Sequence, residues 1–300
     1  MNSQPEVSKR TRVLADLGLF YAAAIWGSTF FIVKDALAGI DPVMMVAYRF
    51  LLAGGVLWVF LKFTGRSILN GLGRAAFLAV ILMTLYVTQT IGLKYTTASN
   101  SGFITGLFVL FVPIFMRTVF KHKPTVMEVI ASIVSLVGLW ILTGGMHDIN
   151  LGDILTLAAA MTYALHVLYS DKYMKAGIDP YVISCQQFLL VGGMSFVGGL
   201  IFDLPMAIGS VKVAGVVVFL ALLPTLSAFL IQMVAQKITS PLRVSLIFAL
   251  EPVFAGIFAW TLGGEEFVQH RALGGLFIFL ALVISGLPTP GRRKLTPEPE

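Results

Sequence analysis

Long apolar stretches separated by short polar segments dominate the pattern of this 300-residue chain. A helix needs about 20 apolar residues to cross the hydrocarbon core of a membrane. Ten stretches are of this kind, at 17–33, 42–61, 75–93, 95–116, 129–146, 154–170, 180–202, 213–236, 244–264 and 272–291. Their runs are continuous and lack the alternation of barrel strands. The pattern therefore predicts an all-α membrane protein with ten transmembrane helices.

Composition supports this prediction and excludes two classes of protein. Apolar residues make up 57% of the chain, charged residues 12%, and the mean hydropathy is +0.90. Soluble domains carry about 25% charged residues, so a soluble enzyme is excluded, and intrinsic disorder is excluded by the same values. The first stretch continues into 30–32 without a small-residue cleavage site, so we interpret it as a signal anchor behind a basic leader and not as a cleavable signal peptide.

The basic residues predict the orientation. Of the 21 Lys and Arg residues, 16 fall on the side of the N-terminus, 4 fall on the other side, and Arg49 lies inside a stretch. By the positive-inside rule both termini are expected in the cytoplasm, in the cell (inner) membrane. The net charge of +6 is explained by these loops, and no nucleic-acid partner is expected.

The second half of the chain repeats the first. A shift of 138 residues aligns 34–55 with 172–193 and gives 11 identities in 22 positions. Each copy holds five spans, and because five is odd the second copy enters the membrane from the opposite side. We expect a leader at 1–13, one repeat at 14–146, an inverted repeat at 152–287 and a tail at 288–300. Inverted repeats around a midplane site are typical of secondary transporters.

Several short strings resemble a known family. WGSTF at 26–30, RFLLAG at 49–54, LKYTTA at 93–98, EPVF at 251–254 and the pair Gly264 and Glu265 occur in its order. On these strings the chain resembles the EamA-type branch of the drug/metabolite transporter superfamily over about 14–287. The resemblance implies two inverted five-helix repeats around a central cavity, and export of amino acids and related metabolites. The chain departs from the family pattern at two places. It has KHK at 121–123, where the family commonly has a glutamate, and Pro224 at a position where the family frequently has glycine.

Two charged residues lie inside predicted spans, Arg49 and Glu251. A charge near the bilayer centre is costly and is expected to face the bundle interior. Arg49 either binds an anionic group of the solute or serves as a structural arginine that caps carbonyls or snorkels outward. Glu251 is a candidate proton carrier, a partner of Arg49 in a fixed ion pair, or an organiser of a kink at Pro252.

Other polar and aromatic side chains on spans one to four and six to nine complete the expected cavity. His166 is a second candidate for proton coupling, although a membrane histidine often only bonds a neighbouring helix. Many such groups hold helices together, and cavity lining is favoured where several converge. The candidates are Trp26, Ser28, Tyr48, Gln89, Thr105, Tyr163, His166, Gln186, Gln187, Thr225 and Gln232.

Motifs of enzyme chemistry are missing from the sequence. There is no HExxH, GxSxG or GxxxxGK[ST], and no Cys/His cluster has metal-ligand spacing, so no catalytic residue, metal or cofactor is expected. The lone Cys185 excludes an intramolecular disulfide. Without a nucleotide-binding loop, transport is expected to use a solute or proton gradient.

Three functions follow as hypotheses. The first is a secondary or facilitative exporter of small organic solutes that works by alternating access, with bends near Pro113, Pro224 and Pro252. The second is a proton-coupled exporter of lipophilic cations. The third is a non-transporting scaffold or lipid-handling protein, which predicts that Arg49 and Glu251 are paired in a sealed centre. The expected partners are a small-molecule solute and the lipid bilayer, and GxxxG at 102–106 would permit a homodimer.

Overall fold

The computed structural model describes residues 8–144, 149–261 and 269–285, which form ten helices. Several of these helices are interrupted and are given below as consecutive segments. In chain order they are α1 (Lys9–Gly27 and Thr29–Ala36), α2 (Pro42–Phe63), α3 (Leu72–Tyr95), α4 (Ala98–Gly106 and Phe108–Thr118), α5 (Val126–Thr143), α6 (Leu151–Lys175), α7 (Pro180–Ile201), α8 (Val211–Leu220, Ala221–Ser227 and Ala228–Ala235), α9 (Pro241–Phe248 and Glu251–Thr261) and α10 (Gln269–Ser285).

Each helix coincides with one predicted stretch, and the prediction of an all-α membrane fold is confirmed. Eight helices are long and apolar enough to cross a membrane, and α5 and α10 are shorter apolar helices. Some expectations lie outside the described residues. They are Gly264 and Glu265, the ends of the fifth, ninth and tenth stretches, most of the leader and the tail at 288–300.

The repeated AGIDP loops start equivalent helices in the same way. Asp41 accepts from the backbone N–H of Val43 over 2.8 Å at the start of α2. Asp179 accepts from Tyr181 N–H over 2.8 Å at the start of α7. In both cases the carboxylate satisfies free N–H groups of the first turn, and proline occupies the first helical position, where its missing N–H costs nothing.

The two repeats are related by a pseudo-two-fold axis at the crossing of α2 and α7. A Cβ on Gly54 would lie 3.0 Å from the backbone nitrogen of Leu189, and a Cβ on Gly192 would lie 2.7 Å from that of Leu51. The shift of 138 residues exchanges the two glycines and the two leucines. The contact is therefore its own image, as an inverted repeat requires.

Every helix packs against the other repeat. α2 packs on α7, α4 on α9 and α5 on α10, which are pairs of equivalent helices. α1 packs on α8, and α3 packs on α6. These two contacts are equivalent, because α6 is the repeat counterpart of α1 and α8 is that of α3. This pairing places α1, α2, α3, α4, α6, α8 and α9 around the centre of the bundle.

Candidate functional site

Four of the central helices, α1, α4, α8 and α9, are interrupted within their spans. α9 breaks between Phe248 and Glu251 because Pro252 has no N–H to bond the carbonyl of Phe248. α1 is interrupted at Ser28, whose hydroxyl donates back to the carbonyl of Ile25 over 2.6 Å. α4 is interrupted at Leu107, and its second segment, Phe108–Thr118, continues through Pro113. Discontinuous helices of this kind form the substrate sites of many transporters.

The interruption of α8 is a π-helical segment, Ala221–Ser227, around Pro224. Wider π turns expose carbonyls and are common at functional sites. The indole Nε1 of Trp26 donates to the carbonyl of Pro224 over 2.7 Å, and Nε of Arg49 donates to Oγ1 of Thr225 over 2.9 Å. Two side chains of the first repeat thus converge on the irregular segment of the second.

Between these segments lies a cavity of about 40 Å³. Such a volume accommodates on the order of three water molecules. All four interrupted helices contribute to its wall, together with α2, α3 and α6. The lining residues are Trp26, Thr29, Phe30, Val33, Arg49, Leu85, Tyr86, Gln89, Thr90, Leu93, Thr105, Tyr163, Phe229 and Glu251.

Arg49 is buried, with 4% of its surface exposed. Its guanidinium carbon lies 4.7 Å from the ring centroid of Tyr86 and 5.5 Å from that of Phe50. Cation–π contact of this kind partly replaces the lost hydration. Together with the bond to Thr225, these rings fix the guanidinium at the cavity wall.

Glu251 is the first residue of the second segment of α9 and is 5% exposed. Its Oε1 accepts from the hydroxyl of Tyr163 over 3.3 Å. A Cβ on Gly27 would collide with the carbonyl oxygen of Glu251, so the glycine lets α1 touch the backbone at this point. Within the described chain, no ion pair joins Glu251 to Arg49. The scaffold hypothesis expected that pair in a sealed centre, whereas both groups line a polar cavity.

Aromatic rings form much of the remaining wall. Trp26 makes edge contacts with Phe229 at 5.1 Å and with Tyr163 at 6.3 Å between ring centroids. On the other side, the side-chain amide of Gln89 donates to Oγ1 of Thr105 over 2.9 Å. The cavity thus combines two opposite charges, neutral polar groups and an aromatic surface.

Ion pairs join the two repeats at the face at which α1 begins, which we name the N-terminal face. Arg243 of α9 donates to both oxygens of Asp16 of α1, over 3.0 and 2.7 Å. Arg66 bonds Asp179 over 2.9 Å. These contacts bridge elements that must separate if a solute is to leave on this side.

Different contacts close the opposite face. Nζ of Lys34 donates to the carbonyl of Leu93 over 2.9 Å and also to that of Thr96. Leu93 and Val33 both line the cavity, so the lysine bonds one wall residue and directly follows another. The hydroxyl of Tyr48 donates to the carbonyl of Met206 over 2.8 Å and joins the two repeats at this face.

The structure brings together six of the thirteen residues that the sequence nominated: Trp26, Arg49, Gln89, Thr105, Tyr163 and Glu251. Thr225 contacts Arg49 but does not line the cavity. Tyr48 lies at the opposite face, Ser28 bonds its own helix, and Gln186 donates to the carbonyls of Ile68 and Asn70 near the N-terminal face. His166, Gln187 and Gln232 lie in a separate buried cluster.

Eight of the fourteen lining residues were not nominated from the sequence. Two of them, Tyr86 and Phe229, contact nominated side chains through their rings. Tyr86 lies three residues before Gln89 on α3, and Phe229 lies three residues before Gln232 on α8. Residues three apart share a helix face, so this spacing from a nominated glutamine could have identified both. Among the described residues, no group of three or more His, Cys, Asp or Glu side chains could hold a metal ion.

Comparison with known sequences gives the family. The profile of the EamA-like transporter family matches residues 13–144 and again 150–287. The chain belongs to this family. It is therefore a multi-pass membrane transporter, and the two matches follow each other as the internal repeat does.

Relatives of this EamA-like transporter carry names that do not specify a substrate. An uncharacterized transporter of Archaeoglobus fulgidus is 31% identical over 278 residues, which is 92% of this chain and 87% of the relative. The uncharacterized inner membrane transporter YedA of Escherichia coli K12 is 26% identical over 282 residues, 89% of this chain and 90% of the relative.

A solved crystal structure has the same fold as this EamA-like transporter. It superposes with a TM-score of 0.78 over 91% of this chain and 96% of the other, at 18% sequence identity. At this identity the likeness concerns the fold alone.

Proposed function

We propose that this transporter exports small zwitterionic metabolites, amino acids and related compounds, by alternating access. The observation that carries the proposal is the placement of Arg49 and Glu251 on one cavity without an ion pair between them. A guanidinium suits a carboxylate, and a carboxylate suits an ammonium group. A zwitterion would supply both missing partners at once, while the aromatic wall would contact an apolar side chain.

The small cavity belongs to a closed state in this proposal. Its volume of about 40 Å³ suits water and not a whole amino acid. Admission of a solute therefore requires the central helices to move, and their interruptions at Ser28, at Leu107 and just before Glu251 supply places to bend. Contacts at the two faces would then break in alternation.

Flux in proteoliposomes tests the proposal. Three matched probes are L-leucine, L-leucinol, which lacks the carboxylate, and 4-methylpentanoate, which lacks the ammonium group. We expect protein-dependent movement of leucine well above that of either analogue. Equal movement of all three, or none, would contradict zwitterion transport. We assign the chain a carrier function and no enzymatic one, so leucine is expected to emerge unaltered.

Orientation and repeat bounds are part of the same proposal. We place the chain in the cell membrane, and the name of the inner membrane transporter YedA supports this location. We place both termini on the cytoplasmic side because most Lys and Arg residues fall on that side. The repeats would span 14–146 and 152–287, between a cytoplasmic leader at 1–13 and a tail at 288–300. Cysteines placed singly near each end of a Cys185→Ala chain should label only after the membrane is permeabilised.

A second candidate function is proton-coupled export of lipophilic cations. The observation that favours it is the aromatic wall of Trp26, Tyr163 and Phe229 beside the carboxylate of Glu251, since aromatic faces bind cations. Glu251 and His166 would then exchange protons. An imposed pH gradient should drive tetraphenylphosphonium flux in the parent, and Glu251→Gln should abolish it. Flux that ignores the gradient removes this candidate.

A further inference from the structure

A second polar cluster lies near the cavity but does not line it. We name it the inner cluster and define it by two fully buried pairs, His166 with Gln187 and Gln232 with Gln236. The pairs adjoin because Gln236 bonds the backbone next to His166 on α6. Nε2 of His166 lies 3.0 Å from Oε1 of Gln187. The amide of Gln232 donates to Gln236 over 3.3 Å, and that of Gln236 donates to the carbonyl of Val167 over 2.8 Å.

The inner cluster has unused hydrogen-bonding groups. Nδ1 of His166, Nε2 of Gln187 and Oε1 of Gln232 are buried and find no partner among the described residues. Turning either carboxamide over exchanges a donor for an acceptor and again leaves an atom unpaired. Buried polar groups without partners are costly, and in folded proteins ordered water commonly satisfies them.

The position of the cluster relates it to the transport path. His166 follows the cavity residue Tyr163 by three positions on α6, and Gln232 follows Phe229 by three on α8. Both steps lead about 4.5 Å toward the N-terminal face. The ring of Phe229 lines the cavity and also meets the His166 ring edge-on at 5.8 Å. One aromatic ring therefore separates the two polar regions.

We propose that the inner cluster is a second binding site, filled by water at rest, that takes the polar end of the solute once Phe229 has turned aside. This inference rests on the proposed function. The cluster offers a donor, an acceptor and an imidazole but no carboxylate, lysine or arginine side chain. It suits the hydrogen-bonding end of a small zwitterion and would bind it less tightly than Arg49 and Glu251 do. A weaker site on the way out favours release.

Hydration is tested on the unmodified protein in nanodiscs by radiolytic hydroxyl labelling, which oxidises buried side chains beside bound water. We expect labelling of His166, with Tyr86 at the cavity as a positive control. Phe103, buried against Trp140, serves as the unlabelled control. An unlabelled His166 beside a labelled Tyr86 would overturn the proposal whatever the transport assay shows.

The solute role is tested with Gln232→Leu, and Gln269→Leu on an exposed turn of α10 is the control. The leucine concentration that gives half of the thermal stabilisation should stay within about twofold of that of the parent. Leucine flux should fall at least tenfold. Gln187→Leu should behave alike if Gln232→Leu fails to fold. Full flux in a folded variant overturns the proposal. If the parent itself neither binds nor moves leucine, the proposed function fails, and the labelling of His166 still decides whether the site is hydrated.

Discussion

Arg49 and Glu251 face one cavity from opposite repeats, and no ion pair joins them in the part of the chain that the structure describes. Each charge is held by neutral partners instead, Arg49 by Thr225 and the Tyr86 ring, and Glu251 by Tyr163. A buried charge without a counter-charge is costly. The arrangement is explained if a solute with both charges completes it.

The first prediction separates the roles of the two charges. Glu251→Gln should weaken the transport of leucine and leucinol. It should not affect 4-methylpentanoate, which has no ammonium group to bind Glu251. Arg49→Gln should weaken leucine and 4-methylpentanoate and spare leucinol. Removing one member of a buried charge pair costs about 2 kcal/mol or more, roughly thirtyfold in affinity. The loss of affinity is measured by competition of each probe against labelled leucine.

The outcome that contradicts this prediction is uniform loss. If either variant depresses all three probes to the same degree while remaining folded by thermal unfolding, the charge acts on structure and not on the solute. Thr90→Val, which changes a neutral lining residue, controls for general disturbance of the cavity.

The second prediction concerns the bond between Trp26 and the π-helical segment of α8. Trp26→Phe keeps the ring contacts but leaves the carbonyl of Pro224 without its 2.7 Å donor. Loss of a buried hydrogen bond costs about 1 kcal/mol, so the melting temperature should fall and flux with it. Trp140→Phe is the matched control because Trp140 is 55% exposed on the outer surface. Equal melting temperatures of the two variants would show that this bond adds no stability.

The third prediction addresses the pseudo-two-fold crossing of α2 and α7. A methyl group on Gly54 or Gly192 would press on the backbone of the facing leucine, and overpacking costs about 1–3 kcal/mol. Gly54→Ala and Gly192→Ala should therefore lower thermal stability to similar degrees. At their neighbours Gly55 and Gly193, an added methyl group would meet no atom within 4 Å. Alanine there should leave stability unchanged or raise it, and a drop as large as at Gly54 would contradict the close-crossing argument.

The fourth prediction concerns closure over the cavity at the face opposite the N-terminus. Lys34→Met removes the donor to Leu93 and Thr96, so that face should open more often. In a Cys185→Ala chain carrying Gln89→Cys, an impermeant thiol reagent should then react several times faster at position 89. Lys94→Met, a change at an exposed lysine on the same face, should leave the rate unchanged. An unchanged rate in Lys34→Met would exclude a closing role for this lysine.

The two charged residues of the site could be predicted from the sequence, whereas the choice among its neutral polar residues could not. Arg49 and Glu251 stand out in any apolar stretch because charge there is rare. Tyr48 and Gln186 looked equally suitable, yet they bond loop carbonyls near the two faces. Depth along a helix can be counted from its ends. The side toward which a residue points depends on which neighbour its helix packs against, and that information is not local.

The sequence by itself determined the ten spans, the inverted repeat and the two charges inside spans. The length of an apolar run, identity at a fixed shift and an isolated charge can all be read from the order of residues along the chain. Only the tertiary structure decided that α1 and α4 break at Ser28 and Leu107, that Tyr86 and Phe229 complete the wall, and that His166, Gln187 and Gln232 lie apart from it beyond one aromatic ring. Those features arise from contacts between residues far apart in sequence, whose partners are chosen by packing across the two repeats.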